Sequence, residues 1–180
     1  MMNNKVLVVY KSISGFTRKY AEMISQEIDC TLMDFKEVNE TTMSNFDTVI
    51  FGGRLHAGTV DGLKNAKKLF MQSKASQFVV YATGAMPNES TKVIEEMWGN
   101  NLSPEELSDI PHFYMQGGIS YERLPLSDKL MMKIFSAMLN KKKDKTEDEK
   151  QMAQAISGSY DISSKDYIMP LISSLKSGRK

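Results

Sequence analysis

Between Lys5 and Thr17 the chain reads KVLVVYKSISGFT, an apolar run that breaks into a loop of small hydroxyl residues. Every other element can be placed relative to it. Lys5 to Tyr10 is rich in Val without polar alternation, the pattern of a parallel strand covered on both faces. Such a strand needs helices on either side, so the segment predicts the centre of an α/β sheet. Ser12, Ser14 and Thr17 then set three hydroxyls around Gly15, just before Phe16, Tyr20, Met23, Ile24 and Ile28 at helical spacing. A helix start exposes unpaired N–H groups and the positive end of the dipole, and short hydroxyl side chains add donors, so a phosphate fits there. The same residues also suit an ordinary strand-to-helix turn capped by Ser and Thr. Two other phosphate loops are excluded. No Lys follows the glycine as in a nucleoside triphosphatase, and the further glycines of G-x-G-x-x-G are missing.

A chain of 180 residues fits a single domain, 1–180, that buries roughly 70% of its unfolded surface. Its 23 basic and 22 acidic residues leave a net charge of +1, which gives no global field for nucleic acid, so no nucleic-acid partner is expected. Cys30 is the only cysteine. An internal disulfide and a multi-cysteine metal site are therefore excluded, no metal is expected, and Cys30 reads as a small buried apolar residue. The MMNNK start lacks the pattern of a secretion signal, and no apolar run approaches membrane-spanning length. The expectation is a cytoplasmic protein.

Further strands are predicted at Cys30 to Phe35, Thr48 to Gly52, Gln77 to Ala82 and His112 to Gln116, with the polar run Lys36 to Asn45 as a connection. The fold class that follows is a doubly wound five-stranded parallel sheet of order 2-1-3-4-5 with helices on both faces. In that order a crevice opens beyond the carboxyl ends of the first and third strands. Gly53 to Thr59, holding Arg54 and His56 between glycines, is predicted as a loop at its edge, with Asp61 or Thr59 capping the next helix. Thr83 to Ser90 is a loop as well. Trp98 shares a helical phase with Ile94 and reads as core. Ser103-Pro104-Glu105-Glu106 carries a capping box.

Ile119 to Leu126 reads as a loop, and Ser127 to Leu139 as a helix with Leu130, Met131, Ile134, Phe135, Met138 and Leu139 on one side. Lys129, Lys133 and Lys141 to Lys143 lie beside that face. Two readings suit it: a helix covering the core behind a solvated lysine edge, or a face for a membrane surface or an apolar partner, giving a possible peripheral membrane contact through 127–143. Thr146 with Glu149 suggests a capping box for a helix through Ile156, and Ser163 with Asp166 another ahead of Pro170.

With these motifs in place, Ser12-Ile13-Ser14-Gly15-Phe16-Thr17 resembles the T/S-x-T/S-G-x-T phosphate loop of flavodoxins. Three further stretches extend the likeness over nearly the whole chain: Gly52 to Gly58, Gly117-Gly118-Ile119-Ser120-Tyr121, and Leu124 to Lys142. The last resembles a Met-rich stretch of the flavodoxin-type, menaquinone-dependent protoporphyrinogen dehydrogenases, making 119–145 a subgroup-specific loop and helix. The resemblance implies FMN as cofactor. It assigns Ser12, Ile13, Ser14, Gly15, Phe16 and Thr17 to the phosphate. Arg54, Leu55, His56 and Ala57 would flank the isoalloxazine, Thr83, Gly84 and Ala85 would face its polar edge, and Gly117 and Gly118 would widen the rim. The loop after the third strand has no Trp, and the loop after the fourth departs from the Tyr-containing loop of electron carriers. A ring face left open in that way suits a substrate, with Arg54 and His56 the candidates for tuning the flavin. The expected function is an FMN oxidoreductase that takes electrons from a porphyrinogen-type or other apolar donor and passes them to a quinone-type acceptor. The alternative is an electron carrier that serves a redox partner and has no substrate of its own.

Overall fold

The computed structural model describes residues 4–146, 156 and 158–177. Its strands are β1 (Val6–Lys11), β2 (Thr31–Asp34), β3 (Thr48–His56), β4 (Thr59–Val60), β5 (Gln77–Gly84), β6 (His112–Gln116), β7 (Gly118–Ile119) and β8 (Tyr160–Asp161). Five of them form a parallel sheet in the order β2-β1-β3-β5-β6. That is the predicted order once the two-residue β4 is set aside. Successive residues of a strand point to opposite faces, and here both faces are apolar. Leu7, Val9, Val49, Phe51, Phe78 and Val80 pack on one side, Val6, Val8, Ile50, Val79 and Tyr81 on the other.

Helices α1 (Phe16–Glu27) and α7 (Met169–Ser177) cover the Tyr81 face through Tyr20, Ala21, Ile24, Leu171, Ile172 and Leu175. The Phe51 face is covered by α2 (Glu40–Met43), α3 (Leu63–Gln72), α4 (Thr91–Asn101) and α5 (Pro104–Asp109). Trp98 lies in that core, its ring centroid 5.1 Å from that of His112. The Ser103 capping box forms in both directions: Glu106 N–H donates to Ser103 Oγ (3.2 Å) and Ser103 N–H to the Glu106 carboxylate (2.9 Å). Caps of this kind contribute about 1 kcal/mol.

Several expectations are corrected. The polar connection after β2 contains α2, one turn capped by Asn39. Cys30 is half-buried rather than core, because β2 is an edge strand. Asp61 does not cap α3; Gly62, at φ 85°, occupies that position, and Asp61 is drawn away to Arg54. The cap before α7 belongs to Ser164 instead of Ser163 and opens a 3-10 turn, Lys165–Ile168, ahead of Pro170. Glu149 of the box predicted with Thr146, and most of the helix it would start, fall outside the described residues.

Between β6 and α7 the chain adds β7, a 3-10 turn (Tyr121–Arg123), α6 (Leu126–Lys141) and β8. β7 and β8 pair antiparallel. A third apolar cluster, with Ile119, Leu139, Ile156, Leu124 and Met132, joins this insertion to Ala85 at the end of β5. The apolar side of α6 faces outward: Leu126, Leu130, Met131, Ile134, Phe135 and Met138 are all exposed. The core-covering reading of that face is overturned. No helix among the described residues is long and apolar enough to cross a membrane.

Candidate functional site

Strand register brings the predicted segments together. Lys11 pairs with Gly53, Arg54 with Thr83, and Gly84 with Gln116, so the ends of β1, β3, β5 and β6 lie side by side at one edge of the sheet. Ser12 to Gly15 turn there into α1. Gly15 takes φ 97°, a left-handed conformation that glycine adopts without strain. The helix begins uncapped, with its first bond from Lys19 N–H to Gly15 C=O (2.9 Å) and no acidic residue in the first turn. Among the described residues the N–H groups of Phe16, Thr17 and Arg18 have no acceptor. The Ser12 hydroxyl is buried without a partner, a state that costs about 1–3 kcal/mol unless a ligand satisfies it. Ser14 forms no hydrogen bond with the described residues either and lines an open groove of about 920 Å³ together with Gly15, Lys19, Ser120, Arg123 and Tyr160. These are the features of an anion cradle.

Other members of the motif stand beneath the cradle. Thr17 is buried, its hydroxyl 2.8 Å from that of Thr83. One of the two hydroxyls donates to the other, which keeps a hydrogen for a further acceptor. Tyr81 OH donates to Thr17 C=O (2.9 Å), fixing α1 on β5. The Phe16 ring packs against the backbone of Gly117 and Gly118, where a Cβ on Gly117 would lie 2.9 Å from it. A Cβ on Gly118 would strike the Tyr160 carbonyl. These two glycines therefore answer to packing and to the β7–β8 pair. Ile13 is exposed at the loop tip.

The segment predicted as a loop after β3 is strand and hairpin. β3 runs on through Arg54, Leu55 and His56, and Ala57 (φ 48°) and Gly58 (φ 80°) turn it into β4. Both central residues having positive φ marks a type I′ hairpin turn. Leu55 packs on the Phe51-side core, and Gly84 passes beneath it, where a Cβ would lie 2.7 Å from Tyr114 OH. Arg54 is largely buried and bonds two carboxylates, Asp61 at 2.7 Å and Asp128 of α6 at 2.7 Å. His56 Nε2 lies 3.5 Å from the second Asp128 oxygen without hydrogen-bond alignment.

Asp128 thus ties α6 to the sheet edge. Its hydrogen bond from Arg54, reinforced by the charge of that guanidinium, holds its carboxyl below the usual range against the opposing effect of burial. For Arg54 burial is the largest influence and acts downward, but the bonds to Asp61 and Asp128 outweigh it and the net shift is upward. A depressed acid stabilises the fold above its unfolded pKa and loses that contribution as pH falls through the folded value. The α6 tie is therefore complete at neutral pH and released only in acid. Asp128→Asn is expected to cost roughly 2 kcal/mol, less than a fully orphaned buried charge because Asp61 still pairs Arg54. Hydrogen exchange checks this: α6 amides should lose protection while those of β1 and β5 keep theirs.

Asp61, Asp128 and Arg123 were not anticipated. Arg123 lies directly over Gly15, so that a Cβ there would meet its guanidinium. It has no ion-pair partner among the described residues, whereas its neighbours Arg18 and Lys19 pair with Glu22 (2.8 Å) and Asp161 (2.7 Å). Only the chain's return over α1 brings it there, which no local spacing announces.

Residues 7–146 match the model of a flavodoxin domain family. The flavodoxin-like domain-containing protein BilS of Clostridioides difficile (strain CD3) is 30% identical over 138 residues, which cover 72% of this chain and 75% of that one. Among solved structures, a flavodoxin from the domain Archaea aligns with TM-score 0.42 and 17% identity over 62% of this chain and 84% of its own. A flavoprotein in complex with FMN from Lactobacillus acidophilus aligns with TM-score 0.43 and 17% identity over 63% and 93%. By its sequence match the chain belongs to the flavodoxin domain family.

Proposed function

We propose that the protein binds FMN by its phosphate at the start of α1 and serves as a flavin-dependent redox protein. The observation that carries this reading is the unsatisfied cradle: three free N–H groups and a buried, unpartnered Ser12 hydroxyl at the carboxyl edge of a doubly wound sheet. Family membership supports the same cofactor. Ser12, Ser14 and the N–H groups of Phe16, Thr17 and Arg18 would hold the phosphate, and the Thr17–Thr83 pair would offer its spare hydrogen. Arg54, Leu55, His56, Ala57, Thr83, Gly84 and Ala85 share the edge where the ring would lie. When bound, FMN supplies hydride and electron transfer at its ring. The chain contributes position and electrostatics: the Arg54 guanidinium is fixed by Asp61 and Asp128, and the apolar insertion around Ala85, Leu124 and Met132 shields that edge from water.

An edge without a stacked aromatic in the β3–β4 hairpin and beside an apolar insertion suits a bulky apolar donor of the porphyrinogen type and a quinone-type acceptor. FMN-loaded protein should then oxidise protoporphyrinogen under anaerobic conditions when a soluble quinone is added, read as porphyrin fluorescence. Absence of turnover would remove this reading. One observation favours the electron-carrier alternative: the Arg54 guanidinium is held between Asp61 and Asp128, leaving it no part in handling a substrate. A carrier would take electrons from a reduced flavoprotein partner yet turn over no small donor.

Arg123 gives a narrower test of the cofactor site. Its exposed charge over Gly15 should add attraction for a phosphate and none for an uncharged ribityl chain. Arg123→Ala is expected to weaken FMN binding about tenfold, to flatten its salt dependence and to leave riboflavin binding unchanged, as measured by flavin fluorescence titration.

A further inference from the structure

The outward side of α6 is the largest apolar feature that the redox reading leaves unexplained. Leu126 is 84% and Met138 66% exposed, with Leu130, Met131, Ile134 and Phe135 beside them. At about 100° per residue these six side chains cover roughly half the circumference of a helix about 24 Å long. Asp128 and Leu139 hold the opposite side against the body of the protein. Lys129 and Lys133 follow one border of the apolar arc, and Lys141 to Lys143 continue from its end. Asp128 is the only acidic residue between 126 and 143, and its charge is already met by Arg54. A chain whose net charge is only +1 therefore gathers a local positive field around its main exposed apolar face.

We propose that this face of α6 docks on an anionic lipid surface, the helix lying in the plane of the headgroups with Leu126, Leu130, Ile134 and Met138 dipping into the acyl boundary. Charge complementarity selects this occupant. A symmetric pairing of two copies through the face would set lysine against lysine, with Glu122 beside Lys129 and Lys133 too few to offset the five lysines. An anionic bilayer supplies the missing charge and a continuous apolar layer beneath it. The side chains agree: flexible Leu, Met and Lys residues adapt to fluid lipid, which requires no fixed complementary shape. Because α6 is tied to β3 by Asp128, docking would also bring the sheet edge close to the membrane surface. The proposal does not depend on the flavin reading.

Co-sedimentation of the full chain with phosphatidylcholine vesicles, with and without roughly one-quarter phosphatidylglycerol, tests it. Binding to the anionic vesicles is expected to be at least about tenfold tighter than to the neutral ones and to fall toward the neutral level at about 0.5 M salt. Ile134→Glu with Met138→Glu should abolish binding, and Lys129→Gln with Lys133→Gln should weaken it several-fold, both with unchanged far-ultraviolet circular dichroism because none of these side chains is buried in the core. Equal or absent binding to the two vesicle types would overturn the proposal, as would unchanged binding by both double variants. A dimer in light scattering that the glutamate variant dissociates, combined with no vesicle binding, would assign the face to a second copy instead.

Discussion

Replacing Ser12 and Ser14 together by alanine is expected to weaken FMN binding by a hundredfold or more while leaving the protein without cofactor at least as stable as before. The two effects have opposite signs for one reason. Ser12 Oγ is buried and makes no hydrogen bond among the described residues, so its removal relieves roughly 1 kcal/mol of desolvation cost. Toward a phosphate the same hydroxyl, with that of Ser14, would donate a charge-assisted hydrogen bond worth about 1.5–3 kcal/mol each. Losing both gives roughly 3 kcal/mol or more, about a hundredfold in affinity. Thermal melting of the cofactor-free variant and fluorescence titration with FMN check the two halves separately. A variant that melts lower and binds FMN unchanged would show that these serines are turn caps and nothing more. Thr17→Ala is less selective, because its hydroxyl also ties α1 to Thr83; a loss there mixes structure with binding.

The largest loss of stability is expected from Gly52→Ala. Gly52 pairs with Tyr81 across β3 and β5, and a Cβ added to it would enter the Tyr81 ring. That ring is fully buried and its hydroxyl is held by the Thr17 carbonyl at 2.9 Å, so it cannot swing aside without disturbing the first turn of α1. Overpacking at such a site costs roughly 3 kcal/mol, a fall of about 10 °C in Tm for a chain of this size. The movement of Tyr81 should also carry through Thr17 to the cradle and weaken FMN binding. Gly99→Ala is the control. Gly99 lies in α4 with nothing near its missing Cβ, and the change should be neutral or stabilise by up to about 1 kcal/mol. If Gly52→Ala melted with the unchanged protein, the packing described for the Tyr81 face would be wrong.

The sheet was legible because its strands are covered on both faces. Val6 to Val9, Val49 to Phe51 and Phe78 to Tyr81 carry apolar residues with no polar alternation, and that pattern survives without knowledge of what covers it. The cradle was legible because its parts are contiguous, from Ser12 to Thr17. The rest failed where a residue's duty is tertiary. Gly52 reads as the end of a strand and Gly53 as the start of a loop, yet their lack of side chains serves Tyr81 and the Asp61 carbonyl, and β3 continues through both. Asp61 looks like a helix cap from its neighbours, but a buried guanidinium seven residues away competes for it and wins. Asp128 reads as an ordinary first-turn acid until β3 supplies Arg54. The β7–β8 pair joins two-residue strands about forty residues apart, too short and too distant to leave a pattern. For α6 the helix itself was plain, whereas the direction of its apolar side is set by Asp128 and Leu139.

The most direct test of the central claim, that the start of α1 grips a phosphate, is a titration of the unmodified protein with FMN and with riboflavin, which differ by that one group. The account predicts yellow, saturable binding of FMN on the order of a hundredfold tighter than riboflavin, with a margin that narrows as salt is raised. Equal affinities for the two, or tighter binding of riboflavin, would contradict it.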